Sequence, residues 1–189
     1  MRITGGEMRG RRIPPPKTGG IRPTPDAVRE SLFNLLPPLN GCNFLDLYAG
    51  TGIVGMEALS RGAKAAVFVE KHPVASRRLK ERLAAWGLEE RSHVLNMDAV
   101  GGVAILSRRA ESFHLVFADP PYERDMIGTT IECCCRGNLI AAGGMLIVQR
   151  SVREEIPEAV GGHKFTLRKE RRHGDTVLTF FDHTLEEPH

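Results

Sequence analysis

Asp46-Leu47-Tyr48-Ala49-Gly50-Thr51-Gly52-Ile53-Val54-Gly55 joins a short apolar run, Asn43 to Tyr48, to a segment in which Ile53, Met56, Ala58 and Leu59 follow helical spacing. Glycines in a strand-to-helix turn let the backbone approach a ligand closely, because no Cβ intervenes. Gly50, Gly52 and Gly55 satisfy G-x-G-x-x-G, and Glu70 lies twenty residues beyond Gly50 at the end of the next apolar run. Taken alone, this is the dinucleotide fingerprint, with the acid on the ribose hydroxyls, and a lone match is a weak signal. A nicotinamide-dependent oxidoreductase using Gly50, Gly52 and Gly55 is therefore one reading.

Asp46 favours another. It stands four residues before Gly50, at the carboxyl end of the strand. A pyrophosphate is repelled by an acid there. S-adenosylmethionine carries a sulfonium and an ammonium and no phosphate, so a carboxylate beside its methionine part is tolerated or helpful. The pattern D-x-x-x-G-x-G, an acid after the second strand and Asn96-Met97-Asp98 after the third resembles the class I methyltransferases. In that resemblance Glu70 holds the ribose and the polar residue after the third strand meets the adenine. Asp98 also suits a helix N-cap.

Strand–helix alternation continues outward. Ala65 to Glu70 predicts a buried strand, and Pro73 opens a helix with Val74, Leu79, Leu83 and Trp86 inside and Arg77, Arg78, Lys80 and Arg82 in water. His93 to Asn96 is a third strand, Val100 to Leu106 a helix and Phe113 to Ala118 a fourth strand. A helix near 125–136 precedes a fifth strand, Met145 to Gln149, after Gly143-Gly144. Continuous apolar strands separated by helices mean a parallel sheet covered on both faces. At the end, Phe165 and Leu167 alternate with polar residues, and His173-Gly174-Asp175 turns the chain into Val177 to Phe181, an antiparallel hairpin. Before the sheet, Thr24-Pro25-Asp26 reads as a helix start capped by Thr24, with Val28, Leu32, Leu35 and Leu36 following and Pro37-Pro38 stopping it.

The second chemical segment is Asp119-Pro120-Pro121-Tyr122, directly after the fourth strand. Two prolines fix an extended backbone and remove two N–H donors, which leaves carbonyls free to accept. Asp119 adds a carboxylate and Tyr122 an aromatic face. This set suits a flat ring bearing an amine. Two acceptors hold the amine hydrogens and let the nitrogen pyramidalise toward a methyl group, while Tyr122 stacks on the ring. No strong general base is required, because the amine becomes acidic once methylated and loses its proton to Asp119 or water; positioning and electrostatics carry the rate.

At 189 residues the chain is long enough for one domain with a real core. No apolar run approaches a membrane span, and the N-terminus has no apolar signal region. Cys42 stands alone and Cys133-Cys134-Cys135 are consecutive, so zinc and thioredoxin-type spacings fail and free thiols in a reducing cytoplasm are expected. No metal is expected. The net charge of +3 is mild but uneven. Residues 1–22 hold Arg2, Arg9, Arg11, Arg12, Lys17 and Arg22 against Glu7 alone. Lys164, Arg168, Lys169, Arg171 and Arg172 form a second basic cluster. Basic ends hint at a polyanion. The Gly-, Pro- and Arg-rich segment 1–22 reads as an extended arm or small hairpin rather than a core element. The domain expectation is an arm at 1–22, a catalytic domain at 23–183 and a loose tail at 184–189.

Arg2-Ile3 with Gly5-Gly6, Arg9-Gly10-Arg11, Arg22-Pro23-Thr24, Val28-Arg29-Glu30, Leu32-Phe33-Asn34, the stretch from Leu45 to Gly52, Glu57 to Ala63 and Asp119-Pro120-Pro121-Tyr122 together resemble the bacterial RsmD family over roughly residues 1–150. These are 16S ribosomal RNA guanine-N2 methyltransferases using S-adenosylmethionine. The resemblance implies an α/β, class I, Rossmann-like fold: a seven-stranded mostly parallel sheet with a C-terminal antiparallel hairpin and a small N-terminal hairpin extension. It implies Asp119, Pro120 and Tyr122 as catalytic. It implies Asp46, Tyr48, Ala49, Gly50, Gly52, Glu70, Lys71, Asp98 and Ala99 on the cofactor. Arg9, Arg11, Arg12, Lys17, Arg22, Thr24 and Arg29 are the expected RNA contacts. The expected enzyme is a cytoplasmic monomer acting on 16S ribosomal RNA, free or in an assembling small subunit. The tetrapeptide alone leaves open an amino-methyltransferase of DNA adenine N6 or protein glutamine, and the charge pattern alone leaves open a non-catalytic RNA-binding module.

Overall fold

A computed structural model describes residues 1–15, 24–121, 126–156 and 165–183. The chain divides into two compact units, Met1–Asp98 and Ala99–His189.

The first unit contains α1 (Asp26–Leu35), β1 (Asn43–Leu47), α2 (Ile53–Ser60), β2 (Ala65–Val69), α3 (Pro73–Ala85), a single 3₁₀ turn at Glu89–Arg91 and β3 (Ser92–Leu95). Its strands lie in the order β3-β2-β1 and are all parallel, with Asn43 opposite Ala65 and Ala66 opposite Ser92. Four of the five residues in each of β1 and β2 are buried, as a strand covered on both faces requires. All eight residues of α2 are buried, Glu57 and Ser60 included. A helix with no wet face is a core helix. α3 is amphipathic by contrast and buries only Ser76, Leu79 and Leu83.

The second unit contains α4 (Ala99–Arg108), β4 (Phe113–Ala118), α5 (Met126–Gly137), β5 (Ile140–Ser151), β6 (Phe165–His173) and β7 (Thr176–His183). Its order is β4-β5-β7-β6. β4 and β5 are parallel, whereas β7 is antiparallel to both β5 and β6. The architecture is therefore the expected α/β fold of seven mostly parallel strands ending in an antiparallel hairpin.

Four expectations change. The N-terminal arm is a hairpin, with Arg2 bridged antiparallel to Arg12, but it belongs to the core: Ile3, Met8 and Ile13 are buried. Side chains of this size contribute about 1.5–3 kcal/mol each when buried, enough to fix a short arm. Thr24 does not cap α1. Pro25 takes the N-cap position without a side-chain hydrogen bond, and the Thr24 carbonyl instead accepts from Arg29 Nη1 at 3.1 Å. Val74 is 45% exposed and Trp86, which ends α3, is half-buried under the Arg11 guanidinium at 5.2 Å. β5 starts at Ile140, five residues before the expected Met145, because Gly143 adopts φ +69° and lets the strand run through an irregular register.

Candidate active-site segments

β1 delivers the chain into a loop in which Tyr48 (φ 66°), Gly50 (φ 54°) and Gly52 (φ 75°) are all left-handed. For a tyrosine this conformation costs about 1–3 kcal/mol and survives only where the surroundings over-determine it. They do. Ala49 N–H donates to Val69 O at 2.9 Å, Gly52 N–H to Ala49 O at 2.7 Å and Arg82 Nη1 to Thr51 O at 2.7 Å. The glycines do different work. A Cβ on Gly52 would lie 2.2 Å from Leu79 Cδ1, and one on Gly55 2.3 Å from Phe68 Cε1. Gly55 thus sets the close approach of α2 to β2, and Gly52 that of the loop to α3.

Glu70 follows β2 and is 5% exposed. Its Oε2 accepts Gly50 N–H and its Oε1 accepts His72 N–H, both at 2.7 Å. Each oxygen keeps a second lone pair, so the carboxylate is fixed in place and still able to accept from a vicinal diol. Asn96 Nδ2 donates to the Glu70 carbonyl at 2.8 Å and to the Lys71 carbonyl at 3.2 Å. This ties the end of β3 to the end of β2. Lys71 and Asp98 are exposed and Ala99 is buried. Asp46 is buried, and its Oδ2 accepts Gly55 N–H at 2.9 Å. A carboxylate therefore already sits on the first turn of α2, the position that favours an anion.

In the second unit Asp119 follows β4 and is half-buried, Pro120 is buried and Pro121 half-buried. Tyr122 lies outside the described residues, as do Lys17, Arg22 and Lys164.

The expected RNA contacts divide. Arg9, Arg11 and Arg12 are exposed on the N-terminal hairpin. Thr24 and Arg29 are buried, Arg29 completely. Arg29 bonds Glu57 Oε2 at 3.1 Å, Asp26 Oδ1 at 3.0 Å, the Thr24 carbonyl and the Arg2 carbonyl. A guanidinium with these partners and no exposure cannot meet a phosphate, so Arg29 is a structural cation.

Its partner Glu57 is the residue that sequence reasoning missed. Glu57 accepts Thr4 N–H at 2.9 Å, Thr4 Oγ1–H at 2.6 Å and Arg61 Nε at 2.9 Å, besides Arg29. Burial alone pushes its carboxyl pKa up; Thr4, Arg61 and Arg29 outweigh that and hold it below the ordinary value. The signal was present, since an acid inside Ile53-Val54-Gly55-Met56-Glu57-Ala58-Leu59 interrupts an otherwise apolar helix. None of the four cysteines is in a disulfide, and burial raises the Cys134 thiol pKa far above its usual range. Among the described residues no group of three or more His, Cys, Asp or Glu could hold a metal ion.

Residues 1–182 match the family described as Conserved hypothetical protein 95. The chain is 32% identical over 182 residues to ribosomal RNA small subunit methyltransferase D of Escherichia coli strain K12, covering 96% of this chain and 89% of that one. It belongs to the RsmD family. Two solved structures carry the same fold over nearly their full length. The Escherichia coli protein yhhF superposes with a TM-score of 0.84 at 29% identity, over 98% of this chain and 99% of that one. A hypothetical protein of Thermus thermophilus gives 0.80 at 33% identity, over 95% and 98%. In RsmD-family terms, the glycine loop, Glu70 and the segment at Asp119 are the parts that sequence assigns to chemistry. The Arg29–Glu57 pair instead holds the N-terminal hairpin to α2.

Proposed function

We propose that this RsmD-family chain is an S-adenosylmethionine-dependent ribosomal RNA methyltransferase, and that its target is the exocyclic N2 amine of a guanine in 16S ribosomal RNA. The observation that carries the cofactor choice is Asp46 on the Gly55 N–H. In a dinucleotide site the pyrophosphate takes the N-terminus of this helix, and here a buried carboxylate holds it. A ligand without phosphate, cationic at its methionine end, is compatible with that acid; a dinucleotide is not. Glu70, with a lone pair left on each oxygen, holds the ribose hydroxyls. Gly50 and Gly52 bring backbone close to the methionine part, with Tyr48, Ala49, Lys71, Asp98 and Ala99 completing the surround. Bound there, S-adenosylmethionine supplies an electrophilic methyl group.

The chain's own residues then handle the amine. Asp119 accepts one N2 hydrogen and a backbone carbonyl of the tetrapeptide the other. This turns the nitrogen lone pair out of conjugation with the ring. Pro120 fixes that backbone, and Tyr122 stacks on the base. Asp119 or water takes the proton that the nitrogen releases. Arg9, Arg11 and Arg12, with Lys17 and Arg22, hold phosphates. The relative's printed name supports ribosomal RNA of the small subunit as substrate. No helix among the described residues is long and apolar enough to cross a membrane. Action as a cytoplasmic monomer is part of the same proposal. Mass spectrometry of nucleosides from 16S RNA treated with enzyme and S-adenosylmethionine tests the reading. N2-methylguanosine is expected; methylated adenine, or binding of a nicotinamide dinucleotide instead, would overturn it.

A further inference from the structure

The amine is one corner of the base, and an acid beside it does not by itself distinguish guanine from another aminated ring. Gln149, on β5, is 3% exposed, and its Oε1 is enclosed without a hydrogen-bond partner among the described residues. Enclosing an amide oxygen in that way costs about 1–3 kcal/mol, which an apolar residue of similar size would avoid. The three residues before it, Leu146, Ile147 and Val148, are such residues and are fully buried. On one side Gln149 lies opposite Leu178 of β7, which offers no side-chain donor. On the other side β4 runs parallel, with Phe117 opposite Ile147 and Ala118 opposite Val148. The pairing ends with β4 at Ala118, and its register continued by one residue sets Asp119 beside Gln149. Neighbours in register project to the same face of a sheet.

We propose that Gln149 is a specificity-determining residue: a side-chain shift on base binding uncovers its Oε1, which accepts the ring N1–H of the target guanine while Asp119 takes the adjacent N2 amine. The proposal rests on the reading of Asp119 given above. In guanine, N1–H and the N2 amine are neighbouring donors on one edge. In adenine the ring N1 is an acceptor and would face the amide oxygen lone pair to lone pair. A buried acceptor held for one donor rejects the base that lacks it.

The test is a two-by-two comparison. Small-subunit particles are reconstituted with RNA carrying guanine or 2-aminopurine at the nucleotide that the unaltered enzyme methylates. 2-Aminopurine keeps the exocyclic amine and lacks N1–H. Initial rates are measured for the unaltered enzyme and for Gln149→Leu, with calorimetric S-adenosylmethionine affinity and Tm alongside. The unaltered enzyme should lose about 10–100-fold in kcat/KM on 2-aminopurine, the range for one hydrogen bond to a buried group. Gln149→Leu should lose a similar factor on guanine and lose no more on 2-aminopurine. Its cofactor affinity should hold, and its Tm should rise, because an orphaned polar atom has left the core. Unchanged kcat/KM for Gln149→Leu on guanine, or losses that multiply independently, would overturn the proposal and make Gln149 a packing residue. Absence of N2-methylguanosine from the unaltered enzyme would overturn the reading of the site itself, in an arm where Gln149 is intact.

Discussion

Glu70 is gripped by two backbone N–H groups, whereas Asp119 is half-buried beside a proline pair, so truncating each should have a different signature. Glu70→Ala unties Gly50 and, on the proposed function, removes a charge-assisted acceptor from the ribose. Affinity for S-adenosylmethionine should fall by about 1–3 kcal/mol in calorimetry; an unaltered affinity would remove Glu70 from the cofactor. Asp119→Ala should lower turnover by roughly 10²–10³, the scale for one lost transition-state hydrogen bond, while cofactor affinity barely moves. Single-turnover rates at saturating cofactor measure this directly, and a normal rate with weakened cofactor binding would reverse the assignment. The places of these two acids after β2 and β4 were legible in the sequence because each ends an apolar run at a fixed offset from glycines or prolines. Arg29 was not. Its partner Glu57 is 28 residues away in sequence and its burial depends on the N-terminal hairpin, which no local periodicity encodes. Gln149 escaped for a similar reason: a polar residue ending an apolar strand looks like an exit to solvent until the register beside β4 is known.

Helix α2 (Ile53–Ser60) is held from both sides, by close glycine contacts to β2 and by the hairpin through Glu57 and Ser60. Glu57→Gln leaves the enclosed Arg29 with Asp26 as its remaining carboxylate and should destabilise the protein by about 1–3 kcal/mol, the range for a lost hydrogen bond to a buried charged group. The pH dependence has a definite sign. The Glu57 carboxyl is depressed in the folded state, so its stabilisation is complete above the ordinary value of 4.5 and is lost as pH falls through the lower folded value. Urea titrations from pH 6 downward should show the unaltered protein losing stability below about pH 4.5, and Glu57→Gln losing less over the same interval. Parallel curves for the two proteins would mean that other carboxylates dominate the acid limb. At this scale the strands were well predicted, since β1 to β4 follow continuous apolar runs to within a residue or two. The starts of α1 and β5 were not. A threonine before Pro-Asp resembles a cap, and paired glycines resemble a strand boundary, but Pro25 and a strand irregularity took those places.

Across the molecule, exposed positive charge gathers in two places, at Arg9, Arg11 and Arg12 on the N-terminal hairpin and at Arg168, Lys169, Arg171 and Arg172 on β6. The basic side chains on β6 are in part engaged, Arg168 with Asp182 at 3.2 Å and Arg172 with the Gly174 carbonyl at 2.9 Å. A pocket that holds one base cannot supply most of the affinity for a large RNA, so phosphate contacts must, and these weaken with salt. Replacing Arg9, Arg11 and Arg12 by Ala should raise the KM for RNA and flatten its log–log salt dependence by about 2, at roughly 0.7–0.9 per phosphate contact. Cofactor affinity should be unchanged. Steady-state kinetics at several salt concentrations decide it, and an unaltered slope would transfer the RNA contact to β6. The same hairpin also imposes an order on biosynthesis. Thr4, Gly5 and Met8 dock on residues 53, 55 and 52 positions later. At a synthesis rate of about 5–20 residues per second, the arm leaves the ribosome roughly 3–10 s before the helix that receives it. For that interval its apolar anchors have no core to enter, and a chaperone or protease meets a segment that the finished protein keeps closed.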